Sequence, residues 1–473
     1  MDIRKKTKIV ATIGPATESA EMMERLVEAG VDVIRLNFSH GDHVEHGRRI
    51  RTARALMDKL GRSIGILQDL CGPKIRIGDF ETESIVLKEG ELFTLTTQPC
   101  VGNVERVFIN YPTLPKEVRV GGAVLLDDGR KRLEVVDIKK KEVVCRVVVG
   151  GEIRGRRGAN FPGAYLKISS ITDKDRADFA FAVKHKVDFV ALSFVRRPED
   201  VAELRDMMKR AKLDAGIIAK IETPEAVEHI DDIIALADGI MVARGDLAIE
   251  VPAEQVPMIQ KMIIEKCNNV GKPVITATQM LDSMIESPTP TRAEVSDIAN
   301  AILDGTDAVM LSEETTLGAY PVEAVEVMTR VALEVERGLS ERCDVGSTHT
   351  RGMDVVNSVT AATVDTAHAV GAKLIFALTE TGFTARMVSR YKPAQLIMAL
   401  SPQARVCSKL NLSFGCCPVE IDRCTTLTDA FKTIRAFCLK HGFAEKGDTV
   451  VIAAGAPFNT KNVKTNMLLV EVI

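Results

Sequence analysis

The sequence predicts an α/β protein built on a (β/α)8 TIM barrel, with a β domain inserted near its start and a separate α/β domain at its C-terminal end. Three observations carry this. Short apolar runs alternate with amphipathic helical patterns on both sides of a region that does not alternate. Three such runs precede that region and five follow it, and eight consecutive βα units favour a closed parallel barrel over an open sheet. A second alternation begins near residue 350. The expected parts are a barrel over 1–71 and 168–345, an inserted β lid domain over 72–167, and a C-terminal α/β domain over 346–473.

In chain order, "KIVATIG" (8–14) is the first strand, followed by the amphipathic "SAEMMERLVEAG", whose Gly30 is a good helix stop. "DVIRLNFS" (32–39) precedes a helical pattern over 43–60, and "SIGILQDL" (63–70) follows. Residues 72–165 change to β-like runs separated by Gly, Pro and Asp-Gly turns; Asp128-Gly129 between apolar runs is a hairpin signal. Gly72-Pro73 and Pro162-Gly163 mark its hinges. The alternation resumes with "DFVALSFV" (188–195), "GIIAKIE" (216–222), "DGIMVARGD" (238–246), "KPVITATQ" (272–279) and "TDAVMLSEE" (306–314). "KLIFALT", "QLIMAL", "DTVVIAAG" and "MLLVEVI" are the strands of the second domain.

Composition bounds the function. A chain of 473 residues is too long for one core. Its 46% hydrophobic and 27% charged content is that of a soluble globular protein. A net charge of −3 gives no reason to expect a nucleic-acid or membrane partner, and 4% aromatics with no Trp argues against base-stacking surfaces. Ten scattered cysteines without zinc spacing point to a reduced, cytoplasmic compartment. The start "MDIRKKTKIVATIGPATE" is basic then apolar, but Pro15 and Glu18 end it too soon for a signal peptide. No segment approaches the roughly 18 apolar residues of a membrane span.

Barrels of this kind carry their active sites at the C-terminal strand ends. There the sequence places Arg35, Asn37 and Ser39 on strand two, Asp69 on strand three, and Lys220 and Glu222 on strand five. Strand six ends in Arg244, Gly245 and Asp246, strand seven in Thr276 and Thr278, and strand eight in Ser312, Glu313 and Glu314. Lys220 and Glu222 stand two apart, so a strand aims both charges at one face. Glu222 and Asp246, from adjacent strands, suit one hard divalent cation such as Mg2+ or Mn2+. Arg35 and Lys220 supply positive charge for a phosphate, and Gly245 lets backbone N–H groups approach a second anion. Each feature alone reads as a salt bridge, a turn or a helix cap; together, at one barrel end, they read as a site. His40, His43 and His46 have the spacing of one helix face, and a solvated helix start is the favoured reading over a metal site. "RGRRG" (154–158) suits either a bound anion or a solvated hairpin. The chain has no GxxxxGK[ST] and no GxGxxG, so any nucleotide binds by other means.

The stretches "KIVATIGPAT", "VIRLNFSHG", "DLCGPKIR", "IIAKIETPEA", "DGIMVARGDLAIEVP" and the long block from Ile275 to Thr315, in this order, resemble the pyruvate kinase family along nearly the whole chain. The resemblance implies a barrel with a β-barrel lid after strand three, a C-terminal regulatory domain and a homotetramer. It implies the glycolytic transfer of a phosphoryl group from phosphoenolpyruvate to ADP, giving pyruvate and ATP. Carried over by motif, Glu222 and Asp246 would ligate the divalent metal. The N–H groups of Gly245 and Asp246 would hold the substrate carboxylate, and Arg35 and Lys220 would contact the phosphoryl group. Thr278 would lie near the carbon that gains a proton, and His40, Arg76 and Lys174 near ADP.

Departures from the family pattern carry further expectations. Most members use K+ near the positions of Asn37, Ser39 and Asp69. Here Lys74 stands where a Glu is usual and Leu70 where a Thr is frequent. Members with this pair tend to dispense with the ion, so K+ is expected not to be required, a tethered ammonium taking its charge role. The alternative is that Lys74 merely faces the lid hinge. Ala248 replaces a usual Gly, tolerable where φ is negative. In the C-terminal domain, "TETGFTAR" (379–386) matches the family's effector loop, with Thr379, Thr381, Gly382 and Thr384 suited to a phosphate or simply capping a helix. The final loop, Gly455 to Asn462, lacks the family's later glycines. A monophosphate such as AMP, ribose 5-phosphate or glucose 6-phosphate is therefore favoured over fructose 1,6-bisphosphate. A metal-dependent lyase of enolate chemistry and a non-catalytic sensor are the rival readings.

Overall fold

Continuous apolar runs form strands buried on both faces when helices cover one face and packed side chains fill the other. Eight such strands arise here: β1 (Lys8–Thr12), β2 (Val33–Asn37), β3 (Gly65–Asp69), β4 (Phe189–Val195), β5 (Gly216–Ile221), β6 (Gly239–Ala243), β7 (Val274–Ala277) and β8 (Ala308–Leu311). In the computed structural model, which describes residues 5–341, 354–457 and 463–473, they close into one parallel barrel in chain order, with β1 pairing both β2 and β8. Val10, Leu67, Phe189, Ile218, Met241 and Met310 are among the buried side chains that fill its interior.

Local signals set the helices. α1 (Ala20–Ala29) starts where the Ser19 side chain accepts from the Met22 N–H and ends at Gly30, whose φ of +131° suits glycine. α2 (His43–Leu60) starts at a capping box between Asp42 and Glu45. That cap leaves His40 outside the helix, so the three histidines do not share a helix face. His46 is not solvated either: it is buried, with its ring stacked on Phe38 at 4.2 Å.

The chain leaves the barrel after β3 at Gly72 (φ +67°) and returns before α3 (Asp173–His185). In between lie a six-stranded sheet and a two-stranded ribbon around a shared core that includes Phe93, Leu95, Val124 and Ile153. Arg76 bridges to Gly158 and Ile77 to Ile109, which carries the sheet round on itself. The expected hairpin forms: Ala123–Leu126 pairs antiparallel with Lys131–Lys139, and Asp127, Asp128 and Gly129 all turn with positive φ. In "RGRRG", Arg154, Arg156 and Arg157 pair with Glu83, Asp79 and Asp127. These exposed pairs favour the solvated hairpin over an anion site.

The C-terminal domain is a five-stranded sheet of β9 (Leu374–Leu378), β10 (Leu396–Ser401), β11 (Cys416–Glu420), β12 (Thr449–Ala454) and β13 (Met467–Val472), in the order β11-β10-β9-β12-β13. β11 is absent from the sequence reading; Pro418 lies inside it, and it forms at the sheet edge, where a missing N–H is tolerated. This domain packs on the N-terminal strand ends of the barrel. Lys8 Nζ donates to the Cys416 carbonyl at 2.7 Å, and Leu412 joins the barrel's inner cluster. The expected junction at 345/346 lies outside the described residues, as does Cys343; the other nine cysteines are free. No helix of the described residues is long and apolar enough to cross a membrane.

Under the same barrel end, buried Asp32 pairs with Lys5, with Arg62 at 3.0 Å and with Lys8 at 3.8 Å, and accepts from the Ile9 N–H. Burial alone would push its carboxyl up, but the three cations outweigh burial and hold it well below the usual range. A depressed carboxylate contributes stability above its unfolded value of 3.8 and loses it as pH falls through the folded value. Asp32→Asn is expected to cost about 3–5 kcal/mol at neutral pH by stranding buried cations. In urea unfolding followed by circular dichroism, the deficit should narrow below pH 3.8.

Candidate active site

The strand ends converge on Asp69. Register pairs Asn37 with Asp69 across β2 and β3, so Arg35, two residues before Asn37, points to the same side. Arg35 grips the Asp69 carboxylate through Nε at 2.8 Å and Nη2 at 2.7 Å, and its Nη1 donates to Thr12 Oγ1 at 2.8 Å. From β5, Lys220 Nζ lies 2.8 Å from Glu222 Oε1, 2.7 Å from Ser193 Oγ and 3.5 Å from Asp69 Oδ1. The two-residue spacing thus delivers both charges to one spot.

All four charged groups are buried. Burial pushes Asp69 up, but Lys220 and Arg35 overcome it and hold the carboxyl below its ordinary value. Burial pushes Lys220 down, and Asp69 with Glu222 more than reverse that, so its ammonium is held above the usual range. Glu222 goes the other way: burial, assisted by Asp246, lifts its carboxyl despite Lys220.

β6 runs directly into α4 (Arg244–Glu250), so the Arg-Gly-Asp triplet opens a helix and is not a turn. Ala248 sits inside that helix, where a methyl is at ease. The Asp246 side chain makes no hydrogen bond or ion pair among the described residues, although its charge reaches Glu222. Among those residues no group of three or more His, Cys, Asp or Glu is placed to hold a metal alone. Two carboxylates, one without a partner and the other raised by burial and by the charge of the first, fit a hard cation that takes its remaining ligands from substrate and water.

Thr278 has φ +73°, unusual for a β-branched residue, and caps no helix. Its Oγ1 accepts from the Gly245 N–H at 2.7 Å and donates to the Ala277 carbonyl at 2.6 Å. A Cβ on Gly245 would lie 3.3 Å from that oxygen, so glycine permits the approach. The Gly245 N–H expected to hold a substrate carboxylate is therefore already engaged, and a carboxylate must take it from Thr278.

Other predicted positions sort differently. Lys174, on the first turn of α3, donates to the Phe38 carbonyl at 2.7 Å, beside exposed His40, and to Asp178 at 2.6 Å. Arg76 stands on the lid, with no contact to either. Asn37 Oδ1 accepts from the Ser39 N–H, and buried Leu70 offers its carbonyl to Ser193. Lys74 forms no ion pair with Asp69; its Cε lies 3.3 Å from where a Cβ on Gly158 of the lid would stand. Arg244 belongs to the scaffold, paired with Asp297 at 2.6 Å. Thr276 is buried against Thr306, and Glu314 accepts from Leu281 and Ser312 N–H groups. Ser193 and Thr12 were not singled out by the sequence; a lone hydroxyl inside an apolar strand run was their only signal.

In the C-terminal domain, Gly382 (φ +80°) precedes the short α5 (Phe383–Ser389). None of Thr379, Thr381 and Thr384 caps that helix: Thr384 Oγ1 is buried against Thr465 Oγ1 at 2.9 Å. Residues 458–462 of the final loop lie outside the described residues.

A closed barrel whose mouth gathers two cations and three carboxylates beside an inserted β domain has the charges that an enzyme needs to hold an anionic group and a cation together. Residues 4–325 match the family pattern described as "Pyruvate kinase, barrel domain", and residues 357–471 match "Pyruvate kinase, alpha/beta domain". The chain belongs to the pyruvate kinase family and is a phosphotransferase. It is 45% identical to a pyruvate kinase of Geobacillus stearothermophilus over 100% of this chain and 81% of that one. It is 42% identical to one from Clostridium acetobutylicum over 99% of both. A crystal structure of a pyruvate kinase from Cryptosporidium parvum superposes with a TM-score of 0.93 at 38% identity, covering 99% of this chain and 96% of that one.

Proposed function

We propose that this chain moves the phosphoryl group of phosphoenolpyruvate to ADP, giving pyruvate and ATP in glycolysis. The observation that carries the reading is the buried cluster in which Arg35, Lys220 and Glu222 meet around Asp69. Phosphoryl transfer asks the protein mainly for positioning and charge. Arg35 and Lys220 neutralise the group in flight. Glu222 and Asp246 hold Mg2+ or Mn2+, which when bound supplies charge stabilisation for the enolate and phosphoryl oxygens. The Gly245 and Asp246 N–H groups orient the substrate carboxylate, and the Thr278 hydroxyl stands at the carbon that receives a proton. ADP lies between barrel and lid, flanked by His40, Lys174 and Arg76.

Potassium independence is part of this reading. Lys74 makes no ion pair among the described residues, and its ammonium follows Asp69 by five positions on the hinge segment. Control by a phosphorylated metabolite at the C-terminal domain is another part, with AMP or a sugar monophosphate favoured. The hydroxyls of Thr379 and Thr381 make no hydrogen bond among the described residues; Thr381 is exposed at the loop and Thr379 is buried behind it. A cytoplasmic place, which rests on the scattered cysteines, and a homotetramer, which rests on the family resemblance, complete the proposal.

One assay tests these parts. Pyruvate formation from phosphoenolpyruvate, ADP and Mg2+ is measured without K+, with K+, and with AMP, ribose 5-phosphate or glucose 6-phosphate added. Similar rates with and without K+ are expected, together with a lower half-saturating substrate concentration in at least one monophosphate. Activity only with K+ sinks the role given to Lys74. An unmoved saturation curve leaves the 379–384 loop a purely structural turn. Silence throughout favours the lyase or sensor readings.

A further inference from the structure

We propose that a two-residue bulge in β4, Ser193 and Phe194, positions Lys220 and Glu222 and ties that pair to both roots of the lid. The proposal rests on the roles given above to Lys220 and Glu222. The β4–β5 ladder pairs Leu192 with Ala219 and next pairs Val195 with Ile221, so two residues of β4 stand opposite Lys220 alone. Bulges beside active sites re-aim groups that a regular strand would send elsewhere. Phe194 has φ +53°, a left-handed conformation that a bulky aromatic residue avoids unless its surroundings impose it.

The surroundings are specific. The Phe194 N–H donates to Glu222 Oε2 at 2.7 Å, while Lys220 holds Oε1 of the same carboxylate. Ser193 Oγ accepts from Lys220 Nζ at 2.7 Å and donates to the Leu70 carbonyl at 2.8 Å. The ammonium is thus held between Ser193 Oγ and Glu222 Oε1, with Asp69 Oδ1 at 3.5 Å. Leu70 lies two residues before the first lid hinge, and a Cβ on that hinge glycine, Gly72, would come within 2.9 Å of the Phe194 ring and 3.1 Å of Ser193 Cβ. From the returning root, Ser170 Oγ donates to the Phe194 carbonyl at 2.8 Å. Both lid roots therefore rest on the two residues that orient the ammonium and the carboxylate. Ser193 and Phe194 are positioning residues, acting through Lys220 and Glu222.

The test compares purified full-length variants. Ser193→Ala is expected to lower kcat about 10- to 100-fold, with the KM for phosphoenolpyruvate changed less than about threefold, because a misaligned ammonium weakens the transition state more than the bound substrate. Ser193→Thr, which keeps the hydroxyl, should recover most of that loss. Phe194→Val disfavours the positive φ that Phe194→Gly accepts, so Mn2+ affinity read by electron paramagnetic resonance should fall about tenfold in the valine variant and stay near wild type in the glycine variant. Wild-type kcat in Ser193→Ala, or equal Mn2+ affinity in the valine and glycine variants, overturns the proposal. Lys220→Met is run in parallel. If it is inactive while Ser193→Ala is fully active, only the positioning role falls. If Lys220→Met still transfers phosphate, the role of Lys220 falls and the proposal falls with it.

Discussion

Lys220→Met is expected to lower phosphoryl transfer by at least about a thousandfold, while proton exchange at the methyl carbon of pyruvate survives in part. Methionine keeps the length of the side chain and removes its charge. Among the described residues Arg35 is the other cation of the buried cluster, and its bonds to Asp69 and Thr12 keep it from moving into the place of the lost ammonium. Proton exchange needs the enolate held and Thr278 in place, and neither depends on an ammonium at the phosphoryl position. The check is a pair of assays on one preparation: pyruvate formation, and loss of deuterium from labelled pyruvate. Transfer at an unreduced rate would show that Lys220 is only a structural cation.

The same substitution has a stability cost of defined sign. Lys220 is held above its unfolded value of 10.5, so it contributes stability at every pH below that value and loses it only as pH rises through the folded one. Removing the ammonium leaves Asp69 and Glu222 with less counter-charge, at about 3–5 kcal/mol. Asp69 retains Arg35, which keeps the cost short of unfolding. A melting curve recorded beside the kinetics separates lost chemistry from lost fold.

The barrel was legible because each parallel strand is a near-continuous apolar run whose polar residues gather at one end. That pattern located Arg35, Asp69, Lys220, Glu222 and Asp246 together. It did not show which way each strand-end residue faces. Thr276 and Arg244 look in sequence like Thr278 and Asp246, yet one is buried against Thr306 and the other is locked to Asp297. The bulge at Ser193 was invisible because a two-for-one register is a property of the pair of strands, and the β4 run alone reads as uniform core. The three histidines misled for a local reason: their spacing is helical, but the Asp42 cap fixes the helix start three residues after the first of them. Lys74 shows the same limit, since its place after Asp69 in the chain says nothing about which side of the Gly72 turn its ammonium occupies.

Glu222→Gln is expected to lose Mn2+ affinity by more than about a hundredfold while costing less stability than Lys220→Met. The two halves of this expectation come from one feature. Glu222 is buried, and burial with the nearby Asp246 charge lifts its carboxyl above the ordinary 4.5 even though Lys220 opposes them. A carboxyl raised on folding costs the native state free energy once pH exceeds the folded value, and that cost disappears below the unfolded one. At neutral pH the ionised group carries that cost, and its ion pair with Lys220 at 2.8 Å offsets it, so an amide of the same shape relieves the burial and at the same time strips the ammonium of one counter-charge. The Phe194 N–H keeps an acceptor in the amide oxygen, which turns the amide NH2 toward the Lys220 ammonium and leaves that donor to Ser193 and Asp69. The site is expected to lose more than the fold, because Asp246 would be left as the single carboxylate of the proposed metal pair. Titration of Mn2+ by electron paramagnetic resonance and a thermal melt of the same variant decide the matter. Unchanged Mn2+ affinity would remove Glu222 from the metal site. A drop in melting temperature as large as that of Lys220→Met would show that the carboxylate serves the fold through its ion pair with Lys220 more than it serves a bound cation.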